Sequence, residues 1–324
     1  MGNPERERPV NTKEGYIEVP GGRVWYEIVG PDLPGIPLLT LHGGPGFPST
    51  DLYTLRGLAG FRTPDGVVSD RPVIFYDQLG CGKSRLPDQD TTDYSRLWHR
   101  ERFVEELIKV REGLGLDQMH LFGLSWGGTL AAEYLITKKP KGIQSVILAS
   151  PMLSARRVKE DHIKTFKLLG PRAQKAMLRY EANNDTGNPR YQELYHEFEN
   201  RFLLGQPVEA FPPELQIPLK ASVETYGKEV LIAMHGRSWA NMNGNLEDFE
   251  RVKDMGQIKI PVLYTCGRND EITPESVADF HRNTPDSEFV IFKKSAHMAH
   301  FTETDRYLTL VADFMQRVEA RSNF

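Results

Sequence analysis

Ser125, Asp270 and His297 are the residues of this chain whose types and settings could carry acyl-transfer chemistry. Ser125 lies in Gly123-Leu124-Ser125-Trp126-Gly127, after the apolar run Met119-His120-Leu121-Phe122 and before Gly128-Thr129-Leu130-Ala131-Ala132-Glu133-Tyr134-Leu135. The first run has strand character and the second reads as a helix. A serine at such a strand–turn–helix junction is held in a strained backbone conformation, its hydroxyl exposed beside the first amides of the helix. Glycines on both sides let strand and helix approach closely enough. A serine nucleophile also needs a base, a group that orients the base, and donors for the oxyanion. His297, in Lys293-Lys294-Ser295-Ala296-His297-Met298-Ala299-His300, is the expected base, with His300 as its competitor. Asp270, in Thr265-Cys266-Gly267-Arg268-Asn269-Asp270-Glu271-Ile272-Thr273-Pro274, is the expected orienting carboxylate. Its plainer reading is a helix cap ahead of Thr-Pro. The expected oxyanion donors are the backbone amides of Trp126 and of one glycine in His42-Gly43-Gly44-Pro45-Gly46, Gly44 before Gly43.

The elements around these residues must bring them together. Tyr16–Val19 and Arg23–Val29, joined by Pro20-Gly21-Gly22, read as a hairpin. Short apolar runs then alternate with longer helical patterns: Pro37–Leu41, Val73–Tyr76, Met119–Phe122, Ser145–Leu148, Pro261–Tyr264 and Phe289–Phe292. Apolar runs without alternation suit strands covered on both faces, and helices between them imply a doubly wound, mostly parallel sheet. The candidate residues fall where strands end and loops begin. The order Ser, Asp, His along the chain is that of α/β-hydrolases and differs from the chymotrypsin-like and subtilisin-like orders. Between 152 and 250 the rhythm breaks. Charge and helix formers dominate, with Tyr191, Leu194, Tyr195, Phe198, Phe202, Leu203 and Leu204 at helical spacing. This stretch reads as a helical cap, 152–250, inserted into a core of 15–151 and 251–324, with a polar tail over 1–14. The terminal helix is expected from Asp305 to Val318.

With 324 residues, the chain suffices for one large domain or a core with an insertion. A net charge of −4 gives no reason to expect nucleic acid or an anionic membrane as partner. No apolar run approaches the ~20 residues of a membrane span. The charged N-terminus resembles neither a secretory signal nor an anchor, so a cytoplasmic protein is expected and the sequon at Asn184-Asp185-Thr186 is idle. Cys81 and Cys266 make no disulfide framework and are read as packing residues. Leu79-Gly80-Cys81-Gly82-Lys83-Ser84 ends like a phosphate-binding loop, but Asp77 stands where that motif needs glycine. His297 and His300 have no third ligand at metal-site spacing. No metal or cofactor is expected.

With these motifs in place, the chain resembles the proline iminopeptidase family of α/β-hydrolases, which includes amino-acid amidases. The resemblance rests on His42–Gly46, on Phe75-Tyr76-Asp77-Gln78-Leu79-Gly80-Cys81-Gly82-Lys83-Ser84, on the Ser125 turn, on Gly267–Pro274 and on the His297 segment. Gly187-Asn188-Pro189-Arg190-Tyr191-Gln192-Glu193 is similar too, and the likeness runs from about 15 to 320. It implies a serine hydrolase that cleaves a small amide or short peptide with an amino-acid acyl part and a free α-amino group. It also implies that Glu271 binds the ammonium. The chain departs from the family where a cap glutamate would help hold the amine: Met234-His235-Gly236-Arg237-Ser238-Trp239-Ala240 carries Trp239 there. Trp239 either lines the pocket or packs the cap. That departure keeps open an esterase, lactonase or amidase acting on a small molecule without a free amine. A non-catalytic binding protein on this fold is the third reading.

Overall fold

The apolar runs form strands. The computed structural model describes residues 10–86, 95–237 and 239–322. In chain order the strands are β1 (Thr12–Val19), β2 (Gly22–Val29), β3 (Leu38–Leu41), β4 (Ala59–Arg62), β5 (Val68–Asp70), β6 (Val73–Tyr76), β7 (Met119–Leu124), β8 (Ile143–Ala149), β9 (Val262–Gly267) and β10 (Ser287–Phe292). Among the described residues, eight of them build one sheet in the order β1-β2-β6-β3-β7-β8-β9-β10. The pairs from β6 to β10 are parallel, and β1–β2 and β2–β6 are antiparallel. Every residue of β3, β6, β7 and β9 is buried, as continuous apolar strands in the middle of a covered sheet should be.

Three details differ from the sequence reading. β1 starts at Thr12, inside the stretch expected as a polar tail, because its outer positions face solvent on an edge strand. Residues 1–9 of that tail lie outside the described residues. β10 is only half-buried despite its apolar run, since it closes the other edge. The short antiparallel ribbon of β4 and β5 carries no alternation long enough to announce it.

The helices are α1 (Arg100–Gly113), α2 (Trp126–Lys138), α3 (Ala155–Leu168), α4 (Pro171–Ala182), α5 (Pro189–Phe198), α6 (Pro213–Thr225), α7 (Lys228–Met234), α8 (Pro274–Arg282), α9 (Ala299–Thr302) and α10 (Thr304–Ser322). One face of the sheet packs with residues of α1, α2 and α8, among them Phe103, Leu130 and Phe280. The other packs on α10 through Leu308, Val311, Phe314 and Met315. Each such side chain contributes roughly 1.5–3 kcal/mol when fully buried. The α3–α7 segment lies between β8 and β9 and has its own apolar cluster, which includes Phe166, Met177, Tyr191, Phe198 and Phe202. A bridge between Ser154 and Glu250 brings the two ends of this segment together. Its helical period is interrupted after α5 by a π-helical turn, Glu199–Leu203. No helix among the described residues is long and apolar enough to cross a membrane.

Candidate active site

Ser125 sits between β7 and α2 with φ 54° and ψ −116°. A non-glycine residue in that region costs roughly 1–3 kcal/mol, so the surroundings must impose it. Its N–H donates to Ala149 O on the neighbouring strand at 2.8 Å, and its carbonyl accepts from Gly128 N at 2.9 Å. A Cβ on Gly123 would lie 2.4 Å from Gly127 O, and one on Gly127 would lie 2.1 Å from Leu41 O. Both contacts are with backbone, which cannot yield cheaply. The flanking glycines are therefore a steric requirement of this turn.

Asp270 and His297 come from the loops after β9 and β10. The His297 Nδ1–H donates to Asp270 Oδ1 at 2.8 Å. The same carboxylate accepts from Ile272 N (2.9 Å), Gly267 N (3.3 Å) and the Ser150 hydroxyl (2.5 Å). Four donors thus fix its orientation. Ser150 was not singled out in the sequence; the signal available was its place at the end of β8, next to Pro151. The helix-cap reading of Asp270 fails, because α8 is entered through Thr273, whose amide and hydroxyl are held by Asp161 of α3. Burial alone would keep His297 neutral. The charge and hydrogen bond of Asp270, with the charges of Glu271 and Asp51, outweigh burial and raise its pKa to about 9. His300 is committed elsewhere: its Nε2–H donates to Asp51 O at 2.7 Å, and burial lowers its pKa to about 4.

The glycine loop after β3 is braced from several directions. Gln78 N donates to His42 Nε2 at 2.8 Å, which puts the ring proton on Nδ1, 3.1 Å from Gly43 O. Burial lowers the His42 pKa to about 4, so the ring stays neutral. Trp126 Nε1 donates to Gln78 Oε1 at 2.8 Å and ties this loop to the serine turn. Gly43 N–H donates to Asp51 Oδ2 at 3.1 Å. The Leu79–Ser84 turn wraps the Asp77 carboxylate instead of a phosphate. Lys83 N donates to Asp77 Oδ2, and a Cβ on Gly82 would lie 2.1 Å from that oxygen. Cys81 and Cys266 are buried free thiols.

Gly43, Gly44, Ser125, His297, Glu271 and Trp239 line one cavity of about 300 Å³. Glu271 Oε1 lies 3.8 Å from His297 Nε2, and its Oε2 accepts from His162 Nε2 at 3.1 Å. The other nitrogen of His162 faces Trp239 O at 2.7 Å. Both nitrogens of His162 therefore donate, and the ring is an imidazolium. Burial opposes that charge, but Glu271 prevails and raises the His162 pKa. Burial likewise opposes the Glu271 carboxylate, and His162, followed by His297, lowers its pKa. His162 had no sequence signal at all, being a lone histidine on a charged helix. For Trp239 the sequence reading offered two alternatives, lining the pocket or packing the cap. It lines the cavity, and its ring stacks on Tyr195 with centroids 5.9 Å apart and planes 12° apart. Among the described residues, no group of His, Cys, Asp and Glu is placed to hold a metal ion.

The family model described as the alpha/beta hydrolase fold matches residues 36–304. A proline iminopeptidase of Heyndrickxia coagulans is 39% identical over 305 residues, covering 94% of this chain and 99% of that protein. One from Clostridioides difficile (strain 630) is 33% identical over 303 residues, 93% of this chain and 97% of that protein. The crystal structure of a proline iminopeptidase from Mycobacterium smegmatis superposes with a TM-score of 0.81 at 25% identity, covering 96% of this chain and 100% of that one. The fold, the strained serine turn and this similarity along nearly the whole length place the chain in the proline iminopeptidase family of α/β-hydrolases.

Proposed function

We propose that this protein is a serine aminopeptidase that hydrolyses the amide of an N-terminal amino acid, proline among them, in a small amide or short peptide. The observation that carries this reading is the 2.8 Å His297–Asp270 hydrogen bond at the cavity that also holds Ser125 in its strained turn. In this reading Ser125 is the nucleophile, His297 the base and Asp270 its orienter. His297 Nε2 takes the Ser125 hydroxyl proton as Oγ attacks the scissile carbonyl carbon. The tetrahedral oxyanion accepts from the amides of Gly44 and Trp126. His297 then gives the proton to the leaving amine, and the C–N bond breaks to leave an acyl-serine ester. Water, deprotonated by His297, attacks that ester; the amino acid leaves and Ser125 regains its proton. Glu271 binds the substrate ammonium. Residues 152–250 form the cap, with 15–151 and 251–324 as core; support comes from Tyr195 and Trp239 lining the cavity and from the Ser154–Glu250 bridge at the segment's two ends.

The test is turnover of prolyl and phenylalanyl anilides, each with a free and an acetylated amine, by wild type and Ser125→Ala. Turnover that strongly favours free amines, and is reduced by about 10⁴-fold or more in Ser125→Ala, is expected. Near-normal activity of Ser125→Ala removes the nucleophile assignment. Indifference to acetylation removes the aminopeptidase assignment.

A further inference from the structure

His162 ties together two residues that line the cavity holding Ser125, Glu271 and Trp239. It is delivered by α3, a helix anchored on the loop that carries Asp270 and Glu271. The Asp161 carboxylate accepts from the Thr273 amide at 3.1 Å and from its hydroxyl at 3.0 Å, and Arg157 pairs with Asp279 of α8. From that footing the His162 ring reaches Glu271 Oε2 through Nε2 at 3.1 Å and Trp239 O through Nδ1 at 2.7 Å. Its side chain is 1% exposed, and the rings of Phe166, Phe198 and Trp239 pack on it with centroids 6.4, 6.0 and 6.0 Å away.

Neither a backbone carbonyl nor an ionised carboxylate can donate, so a neutral imidazole could serve only one of these two acceptors. The other would face a lone pair at hydrogen-bonding distance. Moving the Nε2 proton onto Glu271 would also satisfy the geometry. Against it, the Glu181 charge on α4 favours a cationic ring, and His297 favours an ionised Glu271. The other histidine nearby is His235, just after α7. Burial, with the His162 charge adding to it, lowers the His235 pKa to about 3, so that ring is neutral.

We propose that His162 is a positioning residue of the reaction: its imidazolium clamps Glu271 Oε2 to the Trp239 carbonyl, so that Glu271 meets the substrate as a carboxylate with Oε1 free for the ammonium. The inference rests on the aminopeptidase reading above and deepens it. Burial pushes the Glu271 carboxyl up, and the His162 hydrogen bond is foremost among the effects that bring it down. Without His162 the buried carboxyl would take up a proton at higher pH, and a neutral acid has no charge to offer an ammonium.

The experiment has a spectroscopic and a kinetic arm. Side-chain ¹H–¹⁵N spectra of histidine-labelled wild type at about pH 8, with His162→Gln identifying the His162 signals, locate the protons. Two protonated ring nitrogens are expected; an unprotonated Nε2 puts the proton on Glu271 and overturns the proposal. His162→Gln keeps a donor for Glu271 but loses the charge. With prolyl p-nitroanilide it should raise KM about tenfold at about pH 8 and leave kcat within about threefold. The KM ratio to wild type should widen toward about pH 6, as Glu271 takes up a proton. Cyclopentanecarbonyl p-nitroanilide, which has a ring but no ammonium, should show a smaller rise. Melting curves report folding, and His162→Asn replaces His162→Gln in both arms should the latter fail to fold. An unchanged KM for the prolyl substrate in a folded variant, with a wild type that still prefers the amine, overturns the role of His162 and leaves the aminopeptidase reading standing. A wild type that turns over both anilides equally overturns both.

Discussion

Replacing Glu271 by Gln should move the pH dependence of the reaction as well as weaken substrate binding. Glu271 Oε1 lies 3.8 Å from His297 Nε2, the nitrogen that the proposed mechanism requires to be unprotonated. At an effective dielectric constant near 20, two unit charges at that distance interact by about 4 kcal/mol, or about 3 pKa units; in bulk water the figure is about 1 kcal/mol. The His162 imidazolium bonded to the same carboxylate cancels part of the larger figure, and water in the cavity screens more. A shift of about one unit is therefore expected. Its sign follows from the charge: removing an anion destabilises the imidazolium, so the His297 pKa falls from about 9. The neutral base then appears at lower pH, and the acid limb of the kcat/KM profile moves down by about one unit. Cyclopentanecarbonyl p-nitroanilide is the substrate to use, since without an ammonium the binding role of Glu271 drops out. An acid limb that stays in place, or moves up, would show that Glu271 does not act electrostatically on His297.

Two further perturbations test the framework of the site. Ser150→Ala removes the 2.5 Å hydrogen bond to Asp270 Oδ2 while leaving the other donors to that carboxylate; kcat should fall about tenfold with KM little changed, as steady-state kinetics would show. Gly127→Ala places a methyl group 2.1 Å from Leu41 O, between the serine turn and the glycine-loop strand; stability should drop by at least about 3 kcal/mol in urea melts, and an unchanged melt would mean the turn tolerates a side chain there.

The sheet was legible because burial on both faces leaves a strong mark. β3, β6, β7 and β9 are wholly buried, so their residues are apolar without alternation. The serine turn was legible for a steric reason, since only glycine fits at 123 and 127. The edges were less so. Thr12 to Glu14 read as tail because edge strands are half-solvated, and the π turn was invisible because Phe202, Leu203 and Leu204 continue an ordinary helical spacing.

The sequence by itself determined the hydrolase fold, the order of Ser125, Asp270 and His297, and the loop that carries Gly43 and Gly44. Each of these is written in local constraints: which positions must be apolar, which must be glycine, and where a strand must end. Only the tertiary structure decided what each polar group is bonded to. It gave Gly43 to Asp51 and His300 to the Asp51 carbonyl, brought Ser150 to Asp270 across 120 positions and His162 to Glu271 across 109. A hydrogen bond needs its partners within about 3 Å in space and leaves no periodic trace along the chain, so such partnerships exist only once distant segments have folded together.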